Sequence, residues 1–162
     1  MNSIIDFLKR FFSPQIVTVI IASLPIFELR GAIPVAIGAF KLSVKDAYVL
    51  SIIGNLIPVF PILIFLEKLS QYLMKQFVWA DKFFNWLFTR TKTKSKIVQR
   101  YKAIGLILFV AIPLPITGAW TGSVAAFLFG IKRRYAFPAI ACGVIIAGVV
   151  VTLVTLGVIK IF

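Results

Sequence analysis

Histidine is absent from this 162-residue chain, cysteine occurs once, and Asp and Glu together number five. Without histidine the commonest metal ligand and the usual neutral-pH general base are both missing. Five carboxylates and one thiol, spread along the chain, leave too few ligands for a zinc or di-metal centre, so no metal or other cofactor is expected. The single cysteine, Cys142, lies in an apolar run and can form no intrachain disulfide. No nucleophile stands beside a base. These absences point away from an enzyme.

Apolar residues and bases are what the chain has instead. Hydrophobic residues make up 60% of it and its mean hydropathy is +1.02, whereas a soluble domain is roughly 45–50% apolar. The fold class that follows is an all-α integral membrane protein, with residues 1–162 as a single membrane domain. Lys and Arg number 18. They flank apolar segments, as cytoplasmic loops of membrane proteins do, and no soluble part carries a nucleic-acid face. Nucleic acid is therefore not an expected partner.

One decapeptide breaks the apolar background: Pro25-Ile26-Phe27-Glu28-Leu29-Arg30-Gly31-Ala32-Ile33-Pro34. A charge at membrane depth costs roughly 2.5–3.5 kcal/mol even on lenient insertion scales, and such residues mark functional sites by default. The surrounding apolar unit, residues 14–40, is long for one span of about 20 residues. It is predicted to be two half-helices meeting at the bilayer midplane, Pro14–Leu24 going in and Gly31–Phe40 coming out. One kinked span is the alternative.

Residues 3–12 read as an amphipathic helix in the membrane interface, with a signal peptide as the alternative. Ala47–Leu66 is predicted as a clean span closed by Glu67 and Lys68. On it Ala47, Ser51 and Asn55 share a small, polar face that should turn inward. Residues 69–88 read as a helix on the membrane surface, with Trp79 and Trp86 at headgroup level. Thr89–Lys102 reads as a basic cytoplasmic loop, or more sharply as a patch for anionic lipid headgroups. Ala103–Ile131 repeats the broken-centre pattern around Pro113-Leu114-Pro115-Ile116-Thr117-Gly118-Ala119-Trp120-Thr121-Gly122. There the prolines should stop one half-helix and Thr117 should cap the next. Lys132-Arg133-Arg134 is a basic turn. Phe137–Ile161 is a last span, whose Ala139, Gly143 and Ala147 offer a packing face to a helix of this chain or of a second copy.

Broken unit, turn and span thus occur twice, at about 14–67 and 103–162, joined by 68–102. A shift of 89 places Ala47-Tyr48 on Ala136-Phe137 and Gly54 on Gly143, and a shift of 87 aligns Arg30-Gly31-Ala32 with Thr117-Gly118-Ala119. Two such halves are a transporter signature, with binding at the repeat interface; if both broken units re-enter, the repeats are inverted. Charge counting puts 68–102 in the cytoplasm in either arrangement. Re-entrant units place it with 132–134, gather twelve bases on that side against five, and leave the termini outside. Four full spans also give twelve against five, but put the termini in the cytoplasm.

At Glu28-Leu29-Arg30-Gly31-Ala32-Ile33-Pro34, Gly54-Asn55 and Pro113-Leu114-Pro115-Ile116-Thr117-Gly118 the chain resembles the small multi-drug export family of prokaryotic membrane proteins, over nearly its whole length. More distantly, the paired broken units and the stretch from Gly130 to Phe137 resemble the DedA/VTT membrane proteins. The first resemblance implies a small secondary-active exporter in a prokaryotic plasma membrane. The second implies flipping or scrambling of phosphate-containing lipids.

As an exporter, the protein would exchange a proton at Glu28. Free N–H groups at half-helix N-termini near Gly31 and Gly118 would meet an anion, and Trp120 would line the pocket or stack on a flat cation. As a lipid translocator, it would hold a phosphate with Arg30. A third reading has Glu28 and Arg30 simply pairing at the turn. The candidate binding residues are Glu28, Arg30, Gly31, Pro34, Asn55, Pro113, Pro115, Thr117, Gly118, Trp120 and Thr121, in a cavity between two hairpin tips. Expected partners are membrane lipids, a small-molecule or lipid-phosphate substrate, protons, and a second copy in a homodimer.

Overall fold

The computed structural model describes residues 12–91, 96–114 and 117–161. The interfacial helix expected at 3–12 lies outside the described residues, apart from Phe12. Among the described residues all regular structure is helical. The helices are α1 (Pro14–Ser23), α2 (Glu28–Pro34, continued by a π-helical segment, Val35–Ala39), α3 (Val44–Leu56), α4 (Val59–Gln76), α5 (Val78–Thr91), α6 (Lys96–Ala111), α7 (Ala119–Leu128) and α8 (Arg133–Ile161). Val44–Gln76 and Arg133–Lys160 are long and apolar enough to cross a membrane. Only 28% and 39% of their most apolar windows are buried. A soluble core helix would hide most of that surface, so these faces are suited to lipid.

The helices form two compact units that interleave along the chain, Met1–Pro58 with Val144–Phe162, and Val59–Gly143. In the first, α1 and α2 make a hairpin around the turn at 24–27, and both pack on α3. Its small core is Val17, Ile21, Ala22 and Ala32, with Val35 and Phe40 against it. Gly54 lets α3 touch α1, because a Cβ there would stand 2.4 Å from the Val19 carbonyl oxygen and 2.8 Å from the Ala22 Cβ. The inward face foreseen for Ala47, Ser51 and Asn55 is buried. On the same helix the Tyr48 hydroxyl donates to the Ile145 carbonyl of α8 at 3.1 Å, and its ring occupies the space beside Gly148.

In the second unit α6 and α7 make a hairpin, and α7 packs on α4 as well. The Phe127 ring meets Phe84 and Phe88 edge-on at 6.2 and 5.8 Å, which seats α5. Gly143 brings α8 against α6: its Cβ would lie 2.9 Å from the Ile107 carbonyl oxygen and 2.6 Å from the Val110 Cβ. Gln99, buried, ties the start of α6 to the end of the hairpin. Its Nε2 donates to the Gly130 carbonyl and its Oε1 accepts from the Lys132 N–H, both at 3.1 Å. Lys102 Nζ donates to the Phe129 carbonyl at 2.9 Å, and Arg133 Nε pairs with Glu67 at 3.1 Å.

Local geometry recurs at a nearly constant offset. Lys41 (φ 55°) and Gly130 (φ 63°) end the returning helices in the left-handed region and lie 89 residues apart. The Ser43 and Lys132 carbonyls, again 89 apart, accept from Ala47 at 2.9 Å and Ala136 at 3.0 Å. Gly54 and Gly143 repeat that offset. The residues they press on, Val19 and Ala22 against Ile107 and Val110, are offset by 88.

Several helix ends differ from the sequence expectation. The span expected to close at Glu67 and Lys68 continues to Gln76. The basic loop expected over 89–102 is the end of α5 and, from Lys96, the start of α6; residues 92–95 lie outside the described set. Arg133 and Arg134 open α8 instead of preceding it. The reason is common to all three. Glu, Lys, Gln and Arg are good helix formers, so charge marks where lipid ends and not where a helix ends.

Candidate substrate site at the first hairpin

Leu24 follows α1 and the chain turns through Pro25, Ile26 and Phe27, the last two exposed. Glu28 N–H donates to the Leu24 carbonyl at 3.0 Å, and Gly31 N–H to the Phe27 carbonyl at 2.8 Å. The returning helix therefore begins at Glu28, three residues before the predicted start at Gly31. The Gly31 N–H is consumed inside the helix and does not await an anion, which corrects the role expected for it. Gly31 is needed for space, since a Cβ there would sit 2.9 Å from the Phe27 Cβ.

Glu28 opens α2 with φ 44°, in the left-handed region that favours glycine. Its side chain is 6% exposed, and Arg30 Nη2 lies 3.8 Å from its Oε2, with the Arg30 side chain 28% exposed. A direct charge-assisted hydrogen bond would be about 2.7–2.9 Å, so this pair is electrostatic and looser. Each residue has other interactions besides. Pro34 ends α2. It has no N–H to offer the Arg30 carbonyl, and the helix widens at once into Val35–Ala39, closed by Phe40 N–H on the Val35 carbonyl at 3.0 Å.

Asn55 is 1% exposed and Ser51 fully buried one turn before it on α3, the helix that α2 packs against. Among the described residues, Asn55 Oδ1 and Ser51 Oγ have no hydrogen-bond partner. A buried oxygen left unsatisfied costs roughly 1–3 kcal/mol, and in a native fold each such atom calls for an explanation such as a water or an ion.

Pro113, Thr117, Gly118, Trp120 and Thr121 belong to the turn between α6 and α7, in the second unit; Pro115 lies outside the described residues. As predicted, α6 stops before the prolines, at Ala111. Thr117 does not cap α7, contrary to expectation. Its hydroxyl turns back to donate to the Ile112 carbonyl and accepts from Leu114 N–H at 3.1 Å. The cap position falls one residue later, on the buried Gly118, so the Thr117 hydroxyl is placed to serve the turn after α6. Thr121 donates back to the Gly118 carbonyl at 3.4 Å, and Trp120 is half-buried. The described part of this turn carries no ionic side chain, so charge belongs to the first hairpin.

Among the described residues no three His, Cys, Asp or Glu side chains come together. Sequence reading missed the cluster of Glu67, Gln99, Lys132 and Arg133. Its only local sign was a buried-type amide, Gln99, standing in a basic run. The described residues also enclose a cavity of about 420 Å³, lined by none of the predicted site residues.

No match is found among curated proteins. None is found among solved structures either, so the likeness to DedA/VTT proteins gains no support there. A family model described as "Putative small multi-drug export protein" matches residues 28–150, about three quarters of the chain. The match opens on the buried carboxylate of the first hairpin, covers that hairpin's returning helix and the whole of the second hairpin, and ends within the second apolar helix. The chain belongs to the small multi-drug export family, and is a membrane protein with a general role in export.

Proposed function

We propose that this protein is a secondary-active exporter whose transport site is built around Glu28 and Arg30. The observation that carries the reading is Glu28 itself: nearly buried in an apolar hairpin, on a left-handed backbone, and loosely paired with Arg30 at 3.8 Å. Strained backbone persists where the surrounding structure holds it, and it clusters at working sites. A carboxylate so placed can take up a proton and release Arg30, then lose the proton and recapture it. A cationic substrate competes for Glu28, and an anionic one for Arg30. The orphaned Ser51 and Asn55 oxygens on α3 offer polar lining for a water, a proton or substrate.

Topology is part of the proposal. Gln99 touches Gly130 and Lys132, and Glu67 touches Arg133. A fully spanning 103–131 would hold those groups about 30 Å apart, so these contacts support a hairpin that returns to the side it entered. The recurrence at 88–89 residues supports two halves of one design, inverted in the membrane. With twelve bases on the side of 68–102 and 132–134, that side is the cytoplasm. A homodimer would cover the polar turns that two long helices leave open.

The test is proton-driven uptake in proteoliposomes. Glu28→Gln keeps shape and removes the titrating group, so it abolishes coupling while the protein stays folded. Coupling retained in Glu28→Gln excludes the role given to Glu28. If the protein shows no proton-driven small-molecule uptake but translocates phospholipid, and Arg30→Ala stops that translocation, the lipid-translocating alternative holds instead.

A further inference from the structure

We infer that the base of the second hairpin is a binding site for an anionic phospholipid. The cavity of about 420 Å³ lies within the second unit and is partly open. Leu63, Phe88, Phe127 and Ile131 give it apolar walls, and the exposed Lys132 and Arg133 stand at its rim. Apolar walls under a cationic rim suit an amphiphile with an anionic head. A free inorganic anion makes no use of the walls, and a neutral apolar molecule makes no use of the rim.

The fold does not require these bases. The equivalent turn, 89 residues earlier, is built with Ser43, Val44 and Lys45 where this one has Lys132, Arg133 and Arg134. It has a left-handed residue at the same place, Lys41 for Gly130, and the same first helical bond. The bases also have capacity to spare. Arg133 meets Glu67 through Nε, with the Arg133 side chain 49% exposed, and among the described residues the Lys132 ammonium makes no ion pair. Gln99 clamps the backbone on both sides of Ile131, so both side chains project from a fixed turn. A phosphodiester can accept from the two terminal guanidinium nitrogens, with Lys132 as a neighbouring point charge. One acyl chain then lies along the apolar wall. The membrane the chain occupies supplies such a lipid directly, whatever the exported substrate is.

The test uses the full chain in detergent, titrated with phosphatidylglycerol, phosphatidylcholine or inorganic phosphate, and read by native mass spectrometry and thermal shift. Phosphatidylglycerol binds more tightly than phosphatidylcholine. Lys132→Gln weakens it about fivefold, the contribution of one base near an anionic lipid surface. Glu67→Gln frees Arg133 and tightens it, whereas a merely structural ion pair predicts no gain. Lys45→Gln, at the equivalent turn, leaves it unchanged. Equal binding of the two lipids, or no effect of Lys132→Gln, overturns the inference. Stabilisation by inorganic phosphate alone, equal to that by the lipid, marks a free-phosphate site and overturns it as well.

Discussion

Glu28 is the residue on which the functional reading turns. A left-handed backbone costs a non-glycine residue roughly 1–2 kcal/mol, and Glu28 holds φ 44° with its carboxylate nearly out of solvent. Glycine at this position would relieve the backbone and remove the charge together. Glu28→Gly and Glu28→Ala both delete the carboxylate, but only glycine accepts the backbone without strain. The Gly variant is therefore more stable than the Ala variant by about 1 kcal/mol in thermal denaturation in detergent, and neither transports. An Ala variant as stable as the Gly variant would show that the turn relaxes freely, and would remove strain from the account.

At the scale of elements, two glycines set how closely helices approach. A methyl group at Gly54 meets the Val19 carbonyl oxygen, and one at Gly143 meets the Ile107 carbonyl oxygen and Val110. Backbone atoms cannot step aside as a side chain tip can, so Gly54→Ala and Gly143→Ala each destabilise by about 1–3 kcal/mol. A Cβ at Gly157 would meet no described residue within 4 Å outside its own helix backbone. Gly157→Ala is neutral or stabilising by up to about 1 kcal/mol. Melting temperatures of the three variants check the order. The breaks at Pro25 and Pro113 and the buried face of Ala47, Ser51 and Asn55 were legible in the sequence, because proline chemistry and helical spacing are local. The start of α2 was not. Gly31 reads as a breaker, yet Glu28 takes the strained position. The helix ends around Glu67, Lys96 and Arg133 were obscured for a different reason, since charged residues extend a helix as readily as apolar ones.

At the scale of the molecule, two units of matching local build share two long apolar helices. The offset of 89 is legible in the sequence itself, at Gly54 and Gly143. The contacts of Gln99 with Gly130 and Lys132, and of Glu67 with Arg133, are not, because they join distant stretches that no local rule connects. The proposed re-entrant topology, one of two that charge counting leaves tied, rests on those contacts. The most direct test is sided labelling of single cysteines at the exposed positions Lys45, Arg100 and Arg134, in a Cys142→Ala background, with a membrane-impermeant maleimide. Right-side-out vesicles should label Lys45→Cys alone, and inside-out vesicles should label Arg100→Cys and Arg134→Cys together. Labelling of Arg100→Cys and Arg134→Cys from opposite sides would mean that the second hairpin crosses the membrane, and would contradict the account.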